Sequence, residues 1–459
     1  MRHAWKVAAV LVTLVLWAAV ARPRAQDTSE KSPAAKSFAI LAPTPPMGWN
    51  SYDCYGGDVD EQEVKANAGY MAAHLAFYGW KYIVVDYYWY YPSGQVHGTP
   101  AMDRYGRLVP ALNRFPSAAG GRGFKPLADY VHSKGLKFGI HIMRGIPRAA
   151  VERNLPVLGT NARAGDIANR LNDCSWSKAM YGVDVSKPAG QAYYRSLAKL
   201  YASWDVDYIK ADDMSNAANP YGELYHAPEI EALRRAMTAT GRPMVLSLSP
   251  GPTALADGSN AEYYSQLWRI SGDMWDNWGQ VANQFGYCRL WAPYVGPNHW
   301  PDADMLPLGR LRIRGFADAP RATRLTHDEQ RTLMTLWFIF RSPLMIGADL
   351  PSLDPFTLSL FTNPEVLAVD QHSFDNRQTY ARGQQIAWEA SIPGSRGKYV
   401  ALFNLADSPA PVKVTWNELG MHGNCAVRDL WARKDEGRHS GAYFHELPAH
   451  GSGLYKIEP

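Results

Sequence analysis

The stretch AGQAYYRSLAKLYASWDVDYIKADD, residues 189–213, contains a helical pattern followed directly by a strand pattern, from which the fold can be predicted. Apolar residues recur every three or four positions over 189–204, which predicts an amphipathic helix. The run DYIKADD over 207–213 follows at once, and its aromatic and β-branched residues predict a buried strand. That strand ends by bringing Lys210 close to Asp212 and Asp213, so charged groups gather where a strand meets a loop.

The same alternation of helix and strand extends along most of the chain. Helical patterns over 124–135 and 227–241 are each followed by an apolar run, at 137–143 and 243–251. Further strands are predicted at 47–53, 81–89, 267–273 and 342–350, and a weaker one near 291–305. Strand–helix–strand units at this spacing are parallel, and eight of them in about 330 residues predict an α/β fold of the (β/α)8 TIM-barrel type. We therefore place a catalytic barrel at residues 39–370.

The pattern changes after about residue 375. Short alternating runs over 378–416 and 451–457 are separated by Gly, Pro, Ser and Asp turns, and no helical pattern lies between them. Such a texture predicts a small antiparallel β-sandwich, which we assign to residues 371–459.

The N-terminal residues 1–25 are predicted to form a signal peptide. Arg2 and Lys6 precede an apolar run over 7–21, which is short for a membrane span and typical of the apolar region of a signal peptide. A polar linker, residues 26–38, follows it. We expect a secreted or periplasmic protein with no membrane segment after signal removal, and a retained membrane anchor is the alternative.

The composition argues against several functional classes. The net charge is only +4 and the basic residues are scattered, so no nucleic-acid partner is expected. Glycine-rich phosphate-binding motifs are absent, and the four cysteines lack zinc-binding spacing, so neither a metal nor an organic cofactor is expected. In an exported chain the cysteines predict a disulfide bond, and three pairings of Cys54, Cys174, Cys288 and Cys425 stay open.

Polar residues cluster at the ends of predicted strands: Asp86, Lys210, Asp212, Arg269, Asp273 and Asp304. The active site of a TIM barrel lies at the C-terminal ends of its strands, so these side chains can converge on one cleft. Two chemistries use such carboxylates: glycoside hydrolysis by a carboxyl pair, and proton abstraction assisted by a metal ion that three acidic groups hold. The Trp and Tyr residues around these strand ends favour a sugar cleft.

Four motifs in order point to one family. TPPMGWNSYD (44–53), KADD (210–213), WRISGDMWDNW (268–278) and HWPDADML (299–306) resemble glycoside hydrolase family 27, the melibiase-type α-galactosidases and α-N-acetylgalactosaminidases. The resemblance covers about residues 40–455. It implies a retaining exo-glycosidase that hydrolyses terminal α-D-galactosyl residues of an oligosaccharide or polysaccharide.

The resemblance also implies roles for individual residues. Asp212 would be the nucleophile and Asp273 the acid/base, while Arg269 would bind sugar hydroxyls and Asp213 would be structural. The other implied substrate-binding residues are Trp49, Tyr52, Asp86, Tyr87, His141, Lys210, Ser249, Asp304 and Met305.

The sequence departs from the family pattern where the sugar is recognised. Asp86-Tyr87 stands in place of the two aspartates that hold the 4- and 6-hydroxyls in the galactosidases, and Tyr52 replaces a pocket Trp. His141 replaces a Tyr, and Ser249 resembles the version of the site that admits an N-acetyl group. The α-N-acetylgalactosaminide, the β-L-arabinopyranoside and an isomaltose-type unit are therefore alternative substrates. A catalytically silent carbohydrate-binding protein is the alternative of another class.

Overall fold

The computed structural model describes residues 38–94, 98–174, 176–215 and 225–459. The predicted signal peptide, and all of the predicted linker except Phe38, lie outside these residues. Of the helices in these ranges, none combines the length and the apolar character that crossing a bilayer requires.

Eight parallel strands form the barrel, as the sequence predicted. They are β1 (Met47–Asn50), β2 (Tyr82–Val85), β3 (Lys137–Met143), β4 (Tyr208–Ser215), β5 (Val245–Pro250), β6 (Leu267–Arg269), β7 (Trp300–Asp302) and β8 (Leu344–Ile346). They pair in the order β7-β6-β5-β4-β3-β2-β1-β8. Leu306 joins the two end strands, since its N–H donates to Met345 (2.8 Å) and its carbonyl accepts from Gly347 (3.0 Å). The sheet is thereby closed.

Alternate residues of each strand face opposite sides of the barrel wall. Tyr82, Tyr208 and Val245 belong to one buried cluster, which fills the barrel interior. Their neighbours Ile83 and Ile209 belong to the larger cluster between the barrel and its helices. Both faces are therefore apolar, which explains why the strands read as continuous hydrophobic runs.

Helices connect the successive strands and surround the barrel. They are α1 (Glu61–His74), α2 (Lys125–Ser133), α3 (Pro188–Ser203), α4 (Ala227–Ala239), α5 (Gly258–Tyr264), α6 (Trp278–Trp291) and α7 (His327–Phe340), while α8 (Pro355–Phe361) and α9 (Pro364–His372) follow β8. Helix α7 begins at a capping box in which Thr326 accepts from the N–H of Glu329 and Glu329 accepts from that of Thr326. Helix α5 is not among the predicted helices, because seven residues are too few to show a helical period.

Two insertions on the β→α side of the barrel were not predicted. The chain between β3 and α3 forms a three-stranded antiparallel sheet of Ile146–Pro147, Ala168–Asp173 and Met180–Val183. After β7 a small hairpin pairs Arg310–Leu311 with Arg321–Ala322. Short helices also occur at Tyr52–Tyr55, Arg148–Glu152 and Ala164–Ile167.

The C-terminal strands form the predicted antiparallel sandwich. They are β9 (Phe374–Arg382), β10 (Gln385–Ser391), β11 (Lys398–Asn404), β12 (Ala410–Thr415), β13 (Asn424–Asp429), β14 (Lys434–Ser440), β15 (Ala442–Leu447) and β16 (Ser452–Glu458). One sheet has the order β9-β10-β11-β16-β13-β14, and β12 pairs with β15 in the other. Val412 and Val414 share a buried cluster with Leu402 and Tyr455 of the larger sheet.

Helix α7 lies between the barrel and the sandwich. Its residues Trp337 and Phe340 belong to the same continuous hydrophobic cluster as Trp388, Phe403 and Leu454 of the sandwich. The rings of Phe340 and Trp388 meet edge to face at 6.2 Å. The core of the barrel therefore continues into the sandwich.

The disulfide expected from the sequence does not form. All four cysteines are buried free thiols. They lie on separate elements: Cys54 in the helix after β1, Cys174 beside the inserted sheet, Cys288 in α6 and Cys425 in β13. Each cysteine instead belongs to a buried hydrophobic cluster.

A single histidine of the sandwich contacts the barrel at several atoms. The ring of His450 stacks on Trp278, with centroids 4.1 Å apart, and its Nδ1 lies 2.7 Å from Oε1 of Glu329. Its carbonyl accepts from Oγ1 of Thr332 at 2.6 Å. We expect His450→Asn, a change that the left-handed backbone at this position tolerates, to lower the free energy of unfolding by about 1–3 kcal/mol.

Urea denaturation followed by tryptophan fluorescence measures this effect. The control is His422→Asn, on the exposed turn between β12 and β13, which should change the unfolding free energy by no more than about 0.5 kcal/mol. Equal midpoints for the two variants would contradict the importance of the His450 contacts.

Candidate active site

The alternation along β4 explains the spacing of its charged residues. Tyr208 points into the barrel, so Lys210 and Asp212, two and four residues later, point the same way. The same period turns Asp86 inward after β2, His141 inward on β3, Ser249 on β5 and Arg269 on β6. The predicted site residues thus meet inside the C-terminal mouth of the barrel.

Lys210 and Asp86 form a buried ion pair at the base of this mouth. Nζ of Lys210 lies 3.0 Å from Oδ2 of Asp86, which also accepts from Nδ2 of Asn50 at 2.6 Å. Burial alone would raise the pKa of Asp86, but Lys210 and then His141 lower it below its ordinary value. Burial would likewise lower the pKa of Lys210, but Asp86 and Asp212 raise it. Both groups are therefore charged.

Asp212 is held by one of its two carboxylate oxygens. Oδ2 lies 2.9 Å from Nε2 of His141, and the backbone carbonyl accepts from the N–H of Arg144 at 2.9 Å. Burial would raise the pKa of Asp212, but His141, Lys210 and Ser249 hold it well below its ordinary value. Oδ1 is buried with no hydrogen-bond partner in the described ranges. The result is an ionised carboxylate with one oxygen free to react.

Arg269 and Asp304 form a second buried pair across the mouth. Nη2 of Arg269 lies 2.6 Å from Oδ2 of Asp304 and 2.7 Å from the carbonyl of Gly272. The carboxylate of Asp304 also accepts from the backbone N–H groups of Met274 and Met305, both at 2.7 Å. The pair therefore fixes the loop after β6.

Asp273 stands on this loop above the strand ends. Its Oδ1 lies 3.3 Å from Nη2 of Arg269, and its side chain is 66% exposed. The loop therefore lifts the carboxyl group to the entrance of the cleft. Arg269 links it to the buried groups below.

Two tyrosines line the wall between the carboxylates. The ring of Tyr52 meets that of Tyr87 edge to face at 6.0 Å, and Tyr87 stacks on Tyr88 at 3.5 Å. Burial raises the pKa of Tyr52, and Asp86, Asp273 and Asp212 raise it further. Tyr87 lies 5.4 Å from the ring of His141, the partner of Asp212, and Tyr52 lies 6.4 Å from Trp275, two residues after Asp273, so the two rings connect the surroundings of the two carboxyl groups. Burial also raises the pKa of Tyr87, which is therefore neutral.

Two predicted contact residues lie on opposite faces of the barrel wall. Trp49 is fully buried on the helix side of β1, where its indole N–H donates to the carbonyl of Ala348 at 2.7 Å. The period of β1 turns it away from the barrel interior, so it supports the site from behind and does not line it. Met305 is 8% exposed and belongs to the cluster inside the barrel.

A brace outside the barrel wall holds the end of β4. The guanidinium of Arg144 lies 2.8 Å from Oδ2 of Asp213 and 2.6 Å from Oε1 of Glu229, which Tyr194 also contacts. Asp213 has a left-handed backbone, with φ 62°. Since Arg144 also donates its N–H to Asp212, the brace fixes the backbone of that residue, which agrees with a structural role for Asp213.

Sequence reasoning missed three residues at the site. Asn50 donates to Asp86, and Oγ of Ser51 accepts from the N–H of Asp86 at 2.9 Å. Their polarity at the end of β1 was a usable signal. Trp176, 43% exposed, lies 6.0 Å from the ring of Tyr87. It comes from the insertion after β3, where no periodic pattern marks it.

One group of described side chains has atoms close enough to share a metal ion: Asp129, His132 and Asp205. It lies by α2 and the turn before β4, at the opposite end of the barrel. Asp205 already pairs with Arg242 at 2.9 Å, and His132 bonds Asp207 at 2.7 Å. Protein partners therefore occupy these groups.

Comparison with known families identifies both parts of the chain. A model described as α-galactosidase A matches residues 44–150 and 180–372, and one described as the α-galactosidase C-terminal β-sandwich domain matches 383–457. The α-galactosidase of Coffea arabica is 30% identical over 451 residues, 96% of this chain and 100% of that one. That of Cyamopsis tetragonoloba is 29% identical over 430 residues, 91% of this chain and 87% of that one.

Solved structures include similar proteins with other described activities. A variant of a family 27 β-L-arabinopyranosidase from Geobacillus stearothermophilus, in complex with arabinose, is 49% identical with a TM-score of 0.89. The alignment covers 91% of this chain and 98% of that one. A candidate α-N-acetylgalactosaminidase from Bacillus halodurans is 46% identical with a TM-score of 0.82, covering 90% and 97% of the two chains.

The contact between His141 and Asp212 leads to a prediction for the pH profile. His141→Leu removes the largest interaction that lowers the pKa of Asp212, so that pKa rises and the carboxylate protonates at higher pH. We expect the acid limb of kcat/KM to move to higher pH. At the acid end of this limb, kcat/KM should fall by at least about tenfold more than it falls near neutral pH. An aryl glycoside provides the assay.

Ser249→Ala is the matched control for this experiment. It removes a neutral hydrogen-bond donor to Asp212, so it should shift the acid limb less than loss of the histidine does. An acid limb in His141→Leu that coincides with the wild-type limb would show that His141 does not govern the charge of Asp212.

Proposed function

The chain belongs to glycoside hydrolase family 27, the α-galactosidase A family, and on that premise we propose that it is a retaining exo-glycosidase for terminal pyranosyl residues of galacto configuration. The observation that carries the proposal is the pair of carboxyl groups around Tyr52. Asp212 is ionised with one oxygen free, and Asp273 stands at the entrance of the cleft. A nucleophile below and a proton donor above are the parts that a retaining mechanism needs.

The proposed reaction proceeds in two displacements. Oδ1 of Asp212 attacks the anomeric carbon, the bond from that carbon to the leaving oxygen breaks, and Asp273 transfers its proton to that oxygen. The product of this step is a covalent glycosyl ester of Asp212. Asp273 then removes a proton from water, which attacks the anomeric carbon and releases the sugar with retained configuration. The low pKa of Asp212 supports its role, because an ionised carboxylate is the attacking species.

The buried ion pairs supply the contacts for the sugar hydroxyls. Lys210 and Asp86 lie side by side at the base of the mouth and offer one donor and one acceptor to neighbouring hydroxyls. Nε of Arg269 and Nδ1 of His141 are buried without a hydrogen-bond partner in the ranges that the structure describes. Hydroxyl groups of the substrate would satisfy both.

Tyr87 supports β-L-arabinopyranose as the preferred sugar. This sugar has the ring configuration of α-D-galactopyranose but lacks the hydroxymethyl group at C5. The resemblance puts an aspartate that holds the 6-hydroxyl at the position of Tyr87, whose neutral ring fills the space between Tyr52 and His141. A pentopyranose needs neither that carboxylate nor that space. The 49% identity to a β-L-arabinopyranosidase supports the same sugar.

The α-D-galactoside is the second candidate. The relatives in Coffea arabica and Cyamopsis tetragonoloba are described as α-galactosidases, and Asp86, which would hold the 4-hydroxyl shared by both sugars, is in place. The carbohydrate to which the sugar is attached is an oligosaccharide or polysaccharide in this proposal. Export from the cytoplasm remains a prediction that rests on the N-terminal sequence.

Replacement of either carboxyl group tests the mechanism. Asp273→Asn should lower kcat/KM for a p-nitrophenyl glycoside by about 100–10,000-fold, and a 2,4-dinitrophenyl glycoside should lose less because that leaving group needs no proton. Asp212→Asn should lose as much or more with both substrates. The control Asp407→Asn, 98% exposed on the sandwich, should match wild type.

The combination of outcomes is specific to each role. A 2,4-dinitrophenyl glycoside that fails equally in both variants would remove Asp273 from the proton-donor role. Sugar binding without any hydrolysis by the wild type would support the catalytically silent alternative.

A panel of p-nitrophenyl glycosides tests the sugar. The substrates are the β-L-arabinopyranoside, the α-D-galactoside, the α-N-acetylgalactosaminide and the α-D-glucoside. We expect kcat/KM for the arabinopyranoside to exceed that for the galactoside by about 10-fold or more, and Tyr87→Asp to reverse or reduce this ratio. Tyr87→Phe keeps the ring and is the matched control, which should retain the wild-type ratio. A tenfold wild-type preference for the galactoside would establish the second candidate.

A further inference from the structure

The backbone of Tyr88 has a conformation that is unusual for a large side chain. Its φ of 61° lies in the left-handed region, which bulky residues rarely adopt. In an extended chain the side chains of Tyr87 and Tyr88 would point to opposite faces. The left-handed turn instead stacks the two rings, with centroids 3.5 Å apart and planes at 25°. Such outliers persist where the surrounding structure enforces them, and they cluster at active sites.

Several contacts hold Tyr88 in this conformation. Its ring is buried and meets those of Tyr90 and Tyr91 edge to face, at 5.9 Å and 5.0 Å. Its carbonyl accepts from the N–H of Tyr91 and from Nη1 of the buried Arg114, both at 2.9 Å. Tyr88 is therefore a rigid support against which the ring of Tyr87 lies.

The hydroxyl group of Tyr88 reaches the inserted sheet after β3. Its Oη lies 3.3 Å from Oγ of Ser177, a buried residue in the connection between the last two strands of that sheet. The sheet is itself anchored, since the N–H of Val183 donates to Oε2 of Glu229 at 3.1 Å. Tyr88 thus connects the insertion to the wall of the cleft.

Tyr87 is the member of the stack that borders the cleft. Its ring lies 6.0 Å from that of Tyr52 and 5.4 Å from that of His141, which contacts the proposed nucleophile Asp212. In the proposed function, this ring takes the space that a hydroxymethyl group at C5 of the sugar would need. A side chain excludes such a group only if it cannot move aside, so the exclusion depends on what supports the ring.

We propose that Tyr88 and Ser177 are positioning residues for sugar specificity. The hydrogen bond between them holds Tyr88 against Tyr87, so that the wall does not yield to a hydroxymethyl group. The inference rests on the proposed function and adds the residues that enforce its sugar preference. Both residues act through Tyr87, and neither is a catalytic residue. The insertion after β3 is then a determinant of specificity in addition to the residues at the strand ends.

The experiment compares kcat/KM for the p-nitrophenyl β-L-arabinopyranoside with kcat/KM for the α-D-galactoside. Ser177→Ala and Tyr88→Phe each remove one partner of the hydrogen bond and keep the stacked rings. In both variants we expect the ratio of arabinopyranoside to galactoside to fall by about threefold or more, with no loss of kcat/KM for the galactoside. The double variant should fall no further than the single variants, because all three lack the same bond.

Two further variants serve as controls. Ser452→Ala removes another buried bond between two hydroxyl groups, to Oγ1 of Thr335 at 3.0 Å, and should keep the wild-type ratio. Tyr87→Asp removes the ring that Tyr88 supports. Addition of Ser177→Ala to Tyr87→Asp should therefore leave the ratio of that variant unchanged.

Each outcome decides the inference. Parallel losses with both substrates in Ser177→Ala and Tyr88→Phe would show that the bond only stabilises the fold, and would overturn it. A wild-type ratio in both variants, or falls that add in the double variant, would also overturn it. A wild-type preference for the galactoside would show that the wall excludes no hydroxymethyl group, which overturns the inference and leaves the retaining mechanism in place. A wild type that hydrolyses neither glycoside refutes the proposed function itself.

Discussion

The position of Lys210 between Asp86 and Asp212 is the constraint on which the site depends. Three charges inside a barrel are costly unless they neutralise one another, and here one ammonium faces two carboxylates. His141 supplies further compensation from the neighbouring strand. The arrangement keeps Asp212 ionised in a buried place. Because the closed barrel wall excludes water from Lys210, Asp86 and Asp212, the hydroxyl groups of the substrate must supply the hydrogen bonds that water would otherwise make.

Because successive side chains of a strand point to opposite faces of the barrel wall, catalytic residues lie on the inner face and supporting residues lie on the outer face. On β4 the inward residues Lys210 and Asp212 reach the cleft, while the outward Asp213 joins the brace of Arg144 and Glu229. Adjacent carboxylates of one strand thus have separate environments and separate partners. The left-handed backbone at Asp213 lies where the pairing of β4 with β5 shifts register, between Ala211 and Ser215.

Most of the fold could be derived from sequence because strong periods mark it. The alternation of helix and strand gave the barrel, and the short runs after residue 375 gave the sandwich. Asp212, Lys210 and Asp86 were recognisable as polar residues at strand ends. The exposure of Asp273 and the inserted strands were not, because a loop shaped by contacts such as Arg321 with Asp276 leaves no period in the sequence. Trp49 is the opposite case. A family motif predicted it as a sugar contact, but the alternation along β1 places its side chain on the helix side of the barrel wall.

The hydrophobic core that runs through α7 determines how the two folds of this chain can be combined with others. Trp388 and Phe403 would lose their packing partners if the C-terminal strands were moved to a different enzyme. If the C-terminal strands were deleted, the aromatic rings of α7 would be exposed to water. The sandwich thus shares its hydrophobic core with the barrel and is not joined to it by a linker alone. A recombination that kept this shared core intact would transfer residues 38–459 together.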